Sequence, residues 1–194
     1  MKYILYTFLI FLMFSCSTEV KPKKNQPLET SVSQADTKIG DTSFNSINER
    51  IREDIQNADL YIERANIYIE KEDLTSAKYD LDRAYQIDTT ALNPLIAFSD
   101  YWMKQGKLGY SLSVLEKAQR LHPKSSRVFE KLSELYLYGQ DNEKSLKYAD
   151  LSVKYDMFNA RAYYLKGFNF LQMGDTTKAI SSYQTAIEQD PEFF

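Results

Sequence analysis

From residue 58 onward the apolar positions fall three and four apart, the spacing that lines them along one face of a helix, and the pattern renews itself every 34 residues. With Ala58, Leu92, Ser126 and Ala160 as unit starts, the same place in each unit holds Tyr61, Leu95, Phe129 and Tyr163. Seven residues further on stand Tyr68, Trp102, Tyr136 and Phe170. Three further places hold only small residues: Ala65, Ser99, Ser133 and Gly167; then Ala77, Ser111, Ser145 and Ala179; then Ala84, Ala118, Ser152 and Ala186. Ala, Gly and Ser make up only 36 of the 194 residues, so twelve small residues in twelve places cannot come from composition. Close approach of two helices explains them, because a larger side chain would overpack the contact at a cost of about 1–3 kcal/mol.

Each unit therefore predicts two antiparallel helices joined by a short turn. The turns Glu72-Asp73, Gly106-Lys107, Gln140-Asp141 and Gly174-Asp175 place an Asp at the N-cap of the second helix in three units, and Lys107 breaks the pattern. Pro123 and Pro191 stop two of the second helices, whereas Thr89 and Met157 in the matching places specify those ends less firmly. Upstream, Ser46-Ile47-Asn48-Glu49 has the form of a capping box, and Ile47, Ile51 and Ile55 make an apolar stripe. That predicts a capping helix within 43–57, from Ile47 to about Gln56, laid over the first unit with Glu49, Arg50, Arg52, Glu53 and Asp54 facing water.

The most regular unit carries Tyr163, Gly167, Phe170, Gly174, Asp175, Ala179, Tyr183, Ala186 and Pro191. With this signature the stretch from Ala58 to Pro191 resembles the tetratricopeptide repeat (TPR) family. The resemblance implies an all-α fold, a right-handed α-solenoid of about four helix-turn-helix repeats at 58–91, 92–125, 126–159 and 160–193. It also implies a protein or peptide partner held in a concave groove lined by the first helix of each pair. The family's groove places fall here on Ile62, Asn66 and Ile69, then Ile96, Asp100 and Met103, then Arg127, Leu137 and Tyr138, and finally Tyr164, Phe168 and Leu171. Leu137, Tyr138, Tyr164, Phe168 and Leu171 form the best apolar cluster. The sequence leaves two arrangements open for it, a bare patch or one covered by a neighbouring helix. Some members of the family clamp a peptide's terminal carboxylate with Lys, Asn and Arg. Asn66 matches one clamp place, but Ile62, Ile69 and Ile96 stand where polar groups are needed, so that function is not implied. The last repeat presents Ile180, Tyr183, Ala186 and Ile187 without a polar helix after it, which points to a longer array or to self-association through this repeat.

The amino terminus is of another kind. Lys2 precedes an apolar run from Tyr3 to Phe14, shorter than the roughly 20 residues that cross a bilayer, and polar residues follow at once. Residues 1–15 read as a signal peptide. Cys16, the only cysteine, follows Ser15 in a setting that resembles the lipobox of bacterial lipoproteins, where the cysteine becomes the acylated first residue; Met13 and Phe14 depart from that pattern. Residues 16–42 then read as a lipidated cysteine followed by a disordered polar tether. The implied location is the bacterial cell envelope, with a lipid anchor in the outer membrane rather than the inner.

Composition narrows the function. A net charge of −3 with no basic stripe argues against nucleic acid as partner. His122, the only histidine, precedes Pro123 and reads as a helix-end residue, and no metal, nucleotide or nucleophile motif is present. Asp80, Asp82 and Asp88 read as solvated charges on second helices. No enzyme activity and no cofactor is expected. Two roles follow: a membrane-anchored scaffold for protein partners of the envelope, or an accessory lipoprotein for assembly of outer-membrane proteins or pilus secretins. Palmitate supplied to cells expressing the chain is expected to label it, and Cys16→Ala is expected to abolish the label; label that survives the substitution refutes the anchor.

Overall fold

A computed structural model describes residues 34–192, so the leader, Cys16 and the tether as far as residue 33 lie outside the described residues. Among the described residues there are nine α-helices and no strand: α1 (Gln34–Glu53), α2 (Ala58–Glu70), α3 (Leu74–Ile87), α4 (Leu92–Lys104), α5 (Leu108–Leu121), α6 (Ser126–Tyr138), α7 (Asn142–Tyr155), α8 (Ala160–Gln172) and α9 (Thr176–Gln189). The first helices α2, α4, α6 and α8 begin at the four residues that the period marks. Every helix packs on the next, which makes an all-α helical repeat array. No described helix is long and apolar enough to cross a membrane.

The turn inside each repeat is built the same way four times. Backbone N–H groups of Asp73, Lys107, Asp141 and Asp175 each donate, over 2.9 Å, to the carbonyl of the aromatic residue at the end of the first helix, Tyr68, Trp102, Tyr136 or Phe170. That bond requires a left-handed residue just before it. Gly106 and Gly174 supply φ of 69° and 82° without a penalty, while Glu72 and Gln140 take φ of 60° in spite of their Cβ. The carboxylates of Asp73, Asp141 and Asp175 then accept from the backbone N–H of Ser76, Lys144 and Lys178, whereas Lys107 makes no side-chain cap. The second helices all end in one register, with or without proline. After α3 and α7, Asp88 and Asp156 accept backbone N–H bonds from Thr90 and Phe158 and close the turn that proline was expected to close. His122 sits at the end of α5, and its Nε2 lies 2.8 Å from the Thr90 carbonyl, bridging successive inter-repeat turns.

All twelve small residues are buried. They face one another across each helix pair: Ser99 and Ser111 share a hydrogen bond of 2.8 Å, and Ser145 donates over 2.8 Å to the Ser133 carbonyl. Gly167 meets the ring of Tyr183, where a methyl group added to the glycine would lie 2.6 Å from two ring carbons. The hydroxyls thus satisfy in pairs what would otherwise be costly buried polar groups. The first aromatic place is core in three repeats, with Tyr61, Leu95 and Phe129 at most 7% exposed, whereas Tyr163 in the last repeat is half-buried. The second place is only half-buried; Trp102 stacks on Tyr110 and Tyr136 on Tyr148, with Lys107 and Lys144 over their faces.

Three expectations need correction. α1 begins at Gln34, not Ile47, so residues 34–42 are helical and not tether, and Ser46 lies in mid-helix, where it caps nothing. Ser46 is carried inside the helix because packing begins a turn before Ile47, at the half-buried Phe44, whose ring meets Tyr68 edge-on at 5.3 Å. Ile55 leaves the stripe: α1 ends at Glu53, the chain turns through Asp54 to Asn57, and Ile55 is 55% exposed. Asp80 is not solvated but 1% exposed, held by Arg64 through bonds of 2.7 Å from Nε and 2.6 Å from Nη2. Arg64 also donates to Asn48 over 2.8 Å, which ties α1, α2 and α3 together, and its bond to Asp80 raises its pKa further.

Two outcomes follow for stability. Gly167→Ala is expected to destabilise the fold by about 1 kcal/mol, because the clash with Tyr183 outweighs the roughly 1 kcal/mol that alanine gains in a helix. Combining it with Tyr183→Leu should recover the loss in thermal melts, and a stabilised single variant refutes the close contact. Arg64→Leu leaves a buried carboxylate unpaired and is expected to cost about 3 kcal/mol, most of it returned when Asp80→Leu is added; equal loss in both variants would refute the pair as the cause.

Candidate functional site: the concave face of the first helices

Consecutive first helices touch one another, α2 with α4, α4 with α6 and α6 with α8, whereas no two consecutive second helices bring Cα atoms within 8 Å. An array packed more tightly along one edge curves toward it, so the first helices form the inside of the curve. A ladder of residues 34 positions apart runs along this face. Asn93 donates to Asp59 over 2.9 Å, and Arg127 donates to Asn93 over 2.8 Å.

Three recesses follow along the same face. The recess between α2, α4 and α6, about 300 Å³, includes Ile62, Asn66, Asp100 and Arg127. The next, about 440 Å³, includes Asp100, Met103, Lys131 and Tyr138. The largest, about 610 Å³ between α6 and α8, is lined by Leu137, Tyr138, Tyr164, Leu165 and Phe168, with Glu134, Gln140 and Arg161 at its polar side. Tyr138 is 65% exposed, and the Tyr164 ring rests against Tyr183 at 5.6 Å between centroids.

Most of the residues expected in the groove are brought together here, with three exceptions. Ile96 is fully buried in the core with Leu95, Leu115 and Val128, because α6 covers that side of α4; its neighbour Ala97 lines the recess instead. Ile69 packs against the core cluster around Ala65 and Leu81. Leu171 is 47% exposed and lies outside the lining of the large recess.

The charges around α6 and α8 on this face are paired across helices. Lys131 reaches Asp100 at 2.8 Å and Glu134 at 3.2 Å, and Arg161 reaches Glu134 at 2.7 Å and Glu130 at 3.4 Å. Burial opposes the Lys131 ammonium, but Asp100 and Glu134 outweigh it and hold its pKa above the usual lysine value. Burial pushes the Asp100 carboxyl up in turn, against the pull of Lys131. Sequence reasoning missed Lys131, although its spacing from Glu63, Ala97 and Leu165, which also line recesses, marks a further inward-facing place. Away from this face, Ile180 and Ile187 on α9 are 53% and 48% exposed, while Leu112, Leu146 and Val153 in equivalent places of α5 and α7 are half-buried against the following repeat. Among the described residues no cluster of three His, Cys, Asp or Glu side chains is placed to hold a metal ion.

Comparison with known proteins agrees with this geometry. Residues 58–90 and 160–193 each match the tetratricopeptide repeat model. No curated protein matches the chain. Among solved structures it is similar to TTC0263, a thermophilic TPR protein of Thermus thermophilus, with a TM-score of 0.70 at 16% identity, over 82% of this chain and 87% of that one. It is similar also to MamA from Desulfovibrio magneticus RS-1, with a TM-score of 0.59 at 14% identity, over 82% and 90% of the two chains. A third structure, YrrB, described as a TPR protein with an unusual peptide-binding site, gives a TM-score of 0.53 at 21% identity over 75% of each chain. At these identities the likeness is one of fold.

Proposed function

We propose that this all-α array, two of whose repeats match the tetratricopeptide repeat model, is a binding scaffold whose concave face holds a peptide or helix of a partner protein. In this reading Cys16 tethers the scaffold to a membrane of the bacterial cell envelope, where its partners are proteins of the same compartment. The observation that carries the binding mode is the recess between α6 and α8. It gathers three aromatic rings and two leucines over about 610 Å³, within the size range of about 300–1,000 Å³ common to binding sites. The peptide-binding site named for the similar structure YrrB supports the same use of the fold.

Chemistry narrows the bound segment. Lys131 and Arg161 are already engaged by Asp100, Glu130 and Glu134, so a charged side chain entering here would have to displace an existing partner. An apolar anchor has no such cost. It gains contact with rigid rings that lose little side-chain entropy on binding. The face therefore suits a segment that lays one or two large apolar side chains between Tyr138 and Phe168, with polar contacts only at the edges.

The test uses peptides selected from a displayed random library against the full chain. Tyr138→Ala with Phe168→Ala is expected to weaken the selected peptides by about tenfold or more, equivalent to about 1.4 kcal/mol, while far-ultraviolet circular dichroism stays unchanged. Tyr164 is left intact because its ring packs on Tyr183. Undiminished affinity in the double variant refutes the recess as the binding surface.

A further inference from the structure

The opposite side of the array holds a further recess, and its chemistry differs from that of the concave face. It lies where α3 and α5 stand apart, about 420 Å³ in volume, with α4 as its floor. Trp102 of α4 and Tyr85 of α3 supply half-buried aromatic surface over the buried Phe98, while three cations, Lys78, Lys117 and Arg120, and one carboxylate, Asp82, share the lining.

Local residue choice makes this gap. In the next gap, between α5 and α7, the place equivalent to Val114 holds Tyr148, whose ring stacks on Tyr136 at 5.4 Å and 2° and fills the space. Val114 is too small to do the same. The places of Lys117 and Arg120 are taken by Leu151 and Lys154 in the third repeat, and by Thr185 and Glu188 in the fourth. An unfilled recess and doubled positive charge thus coincide in one gap.

Two of the three cations here are not neutralised as Lys131 and Arg161 are. Lys78 pairs with Asp82 at 2.7 Å. Lys117 lies over the Tyr85 ring, 4.6 Å from its centroid, and donates one hydrogen bond to the Tyr85 hydroxyl, leaving two ammonium donors. Neither Lys117 nor Arg120 has a carboxylate partner among the described residues. Such a site attracts negative charge, and on a chain of net charge −3 it does so against the overall sign.

We infer that this crevice binds a short acidic peptide segment, with an aromatic side chain entering between Tyr85, Trp102 and Val114 and flanking carboxylates bonded to Lys117 and Arg120. The dimensions fit such a segment. Lys78 to Tyr85 on one wall and Ser113 to Arg120 on the other each span seven residues, about 10 Å of helix, which matches about three residues of extended chain. Two cations without carboxylate partners are too few for a nucleic acid, whose specific contacts typically neutralise about 6–10 phosphates. This site is independent of the concave recess, and either can fail alone.

Trp102, the only tryptophan, is the reporter. Titrating the full chain with acetyl-Asp-Phe-Asp-Glu-amide at low salt is expected to give a saturable change in its emission. The change should weaken about tenfold in Lys117→Gln/Arg120→Gln, and likewise on raising salt to about 1 M, but should persist in Tyr138→Ala/Phe168→Ala. The neutral peptide acetyl-Asn-Phe-Asn-Gln-amide should produce none. Three results overturn the inference: no saturable change up to about 1 mM peptide, equal affinity in the Lys117/Arg120 variant, or stronger binding of inorganic phosphate or of anionic phospholipid vesicles than of the peptide.

Discussion

Every feature of this array depends on how closely the two helices of a repeat approach. Where they touch, the contact residues are Ala, Ser or Gly, and each is sealed from water. A methyl group has no room at Gly167, so the distance between α8 and α9 is set by the Tyr183 ring against bare backbone. Hydroxyls at the same places in the second and third repeats would be a liability at such close quarters, but Ser99 bonds to Ser111 and Ser145 to Ser133, so the contact is polar and satisfied at once. With the pair spacing fixed, the large residues on either side have only defined volumes to fill, and the half-buried aromatics at the turn end find them beneath lysines of the following helix.

The same constraint produces the two faces. First helices lie against one another and second helices do not, so one side of the array is crowded and the other is open. Crowding on the inner side brings charged residues of successive repeats within reach, and the ladder Asp59, Asn93, Arg127 and the chain Asp100, Lys131, Glu134, Arg161 result. On the outer side the helices are too far apart for such ladders, and whatever a gap contains is decided by the side chains of its own three helices.

The repeat boundaries and the small-residue contacts were legible because both follow from a strict period, and packing at a fixed distance tolerates few residue types. What escaped the sequence depended on which neighbour covers a residue. Ile96 and Tyr164 occupy the same place in their repeats, yet α6 covers Ile96, whereas no further first helix follows α8 among the described residues. Asp80 looked like surface charge because a carboxylate on a second helix usually is, and only Arg64, sixteen residues away on the facing helix, makes its burial tolerable. The early start of α1 escaped for a related reason: Ser46 and Glu49 form a valid local cap signal, but Phe44 packing on Tyr68 carries the helix past it, so tertiary contact overrode local propensity.

The distribution of charge partners, more than the count of charges, separates the two recesses. A salt bridge already made inside a recess raises the cost of admitting a charged ligand, since the new bond must first break an old one. The recess between α6 and α8 is bordered by such closed pairs, which leaves apolar contact as the main source of binding free energy there. In the outer gap, Lys117 and Arg120 retain donors that no carboxylate among the described residues engages, so the gain from a ligand carboxylate is not offset by a lost intramolecular ion pair. One chain with a modest net charge therefore presents an apolar site and an anion-seeking site on opposite sides. The difference arises because Lys131 and Arg161 have carboxylates of α4 and α6 within reach, whereas Lys117 and Arg120 have none among the described residues.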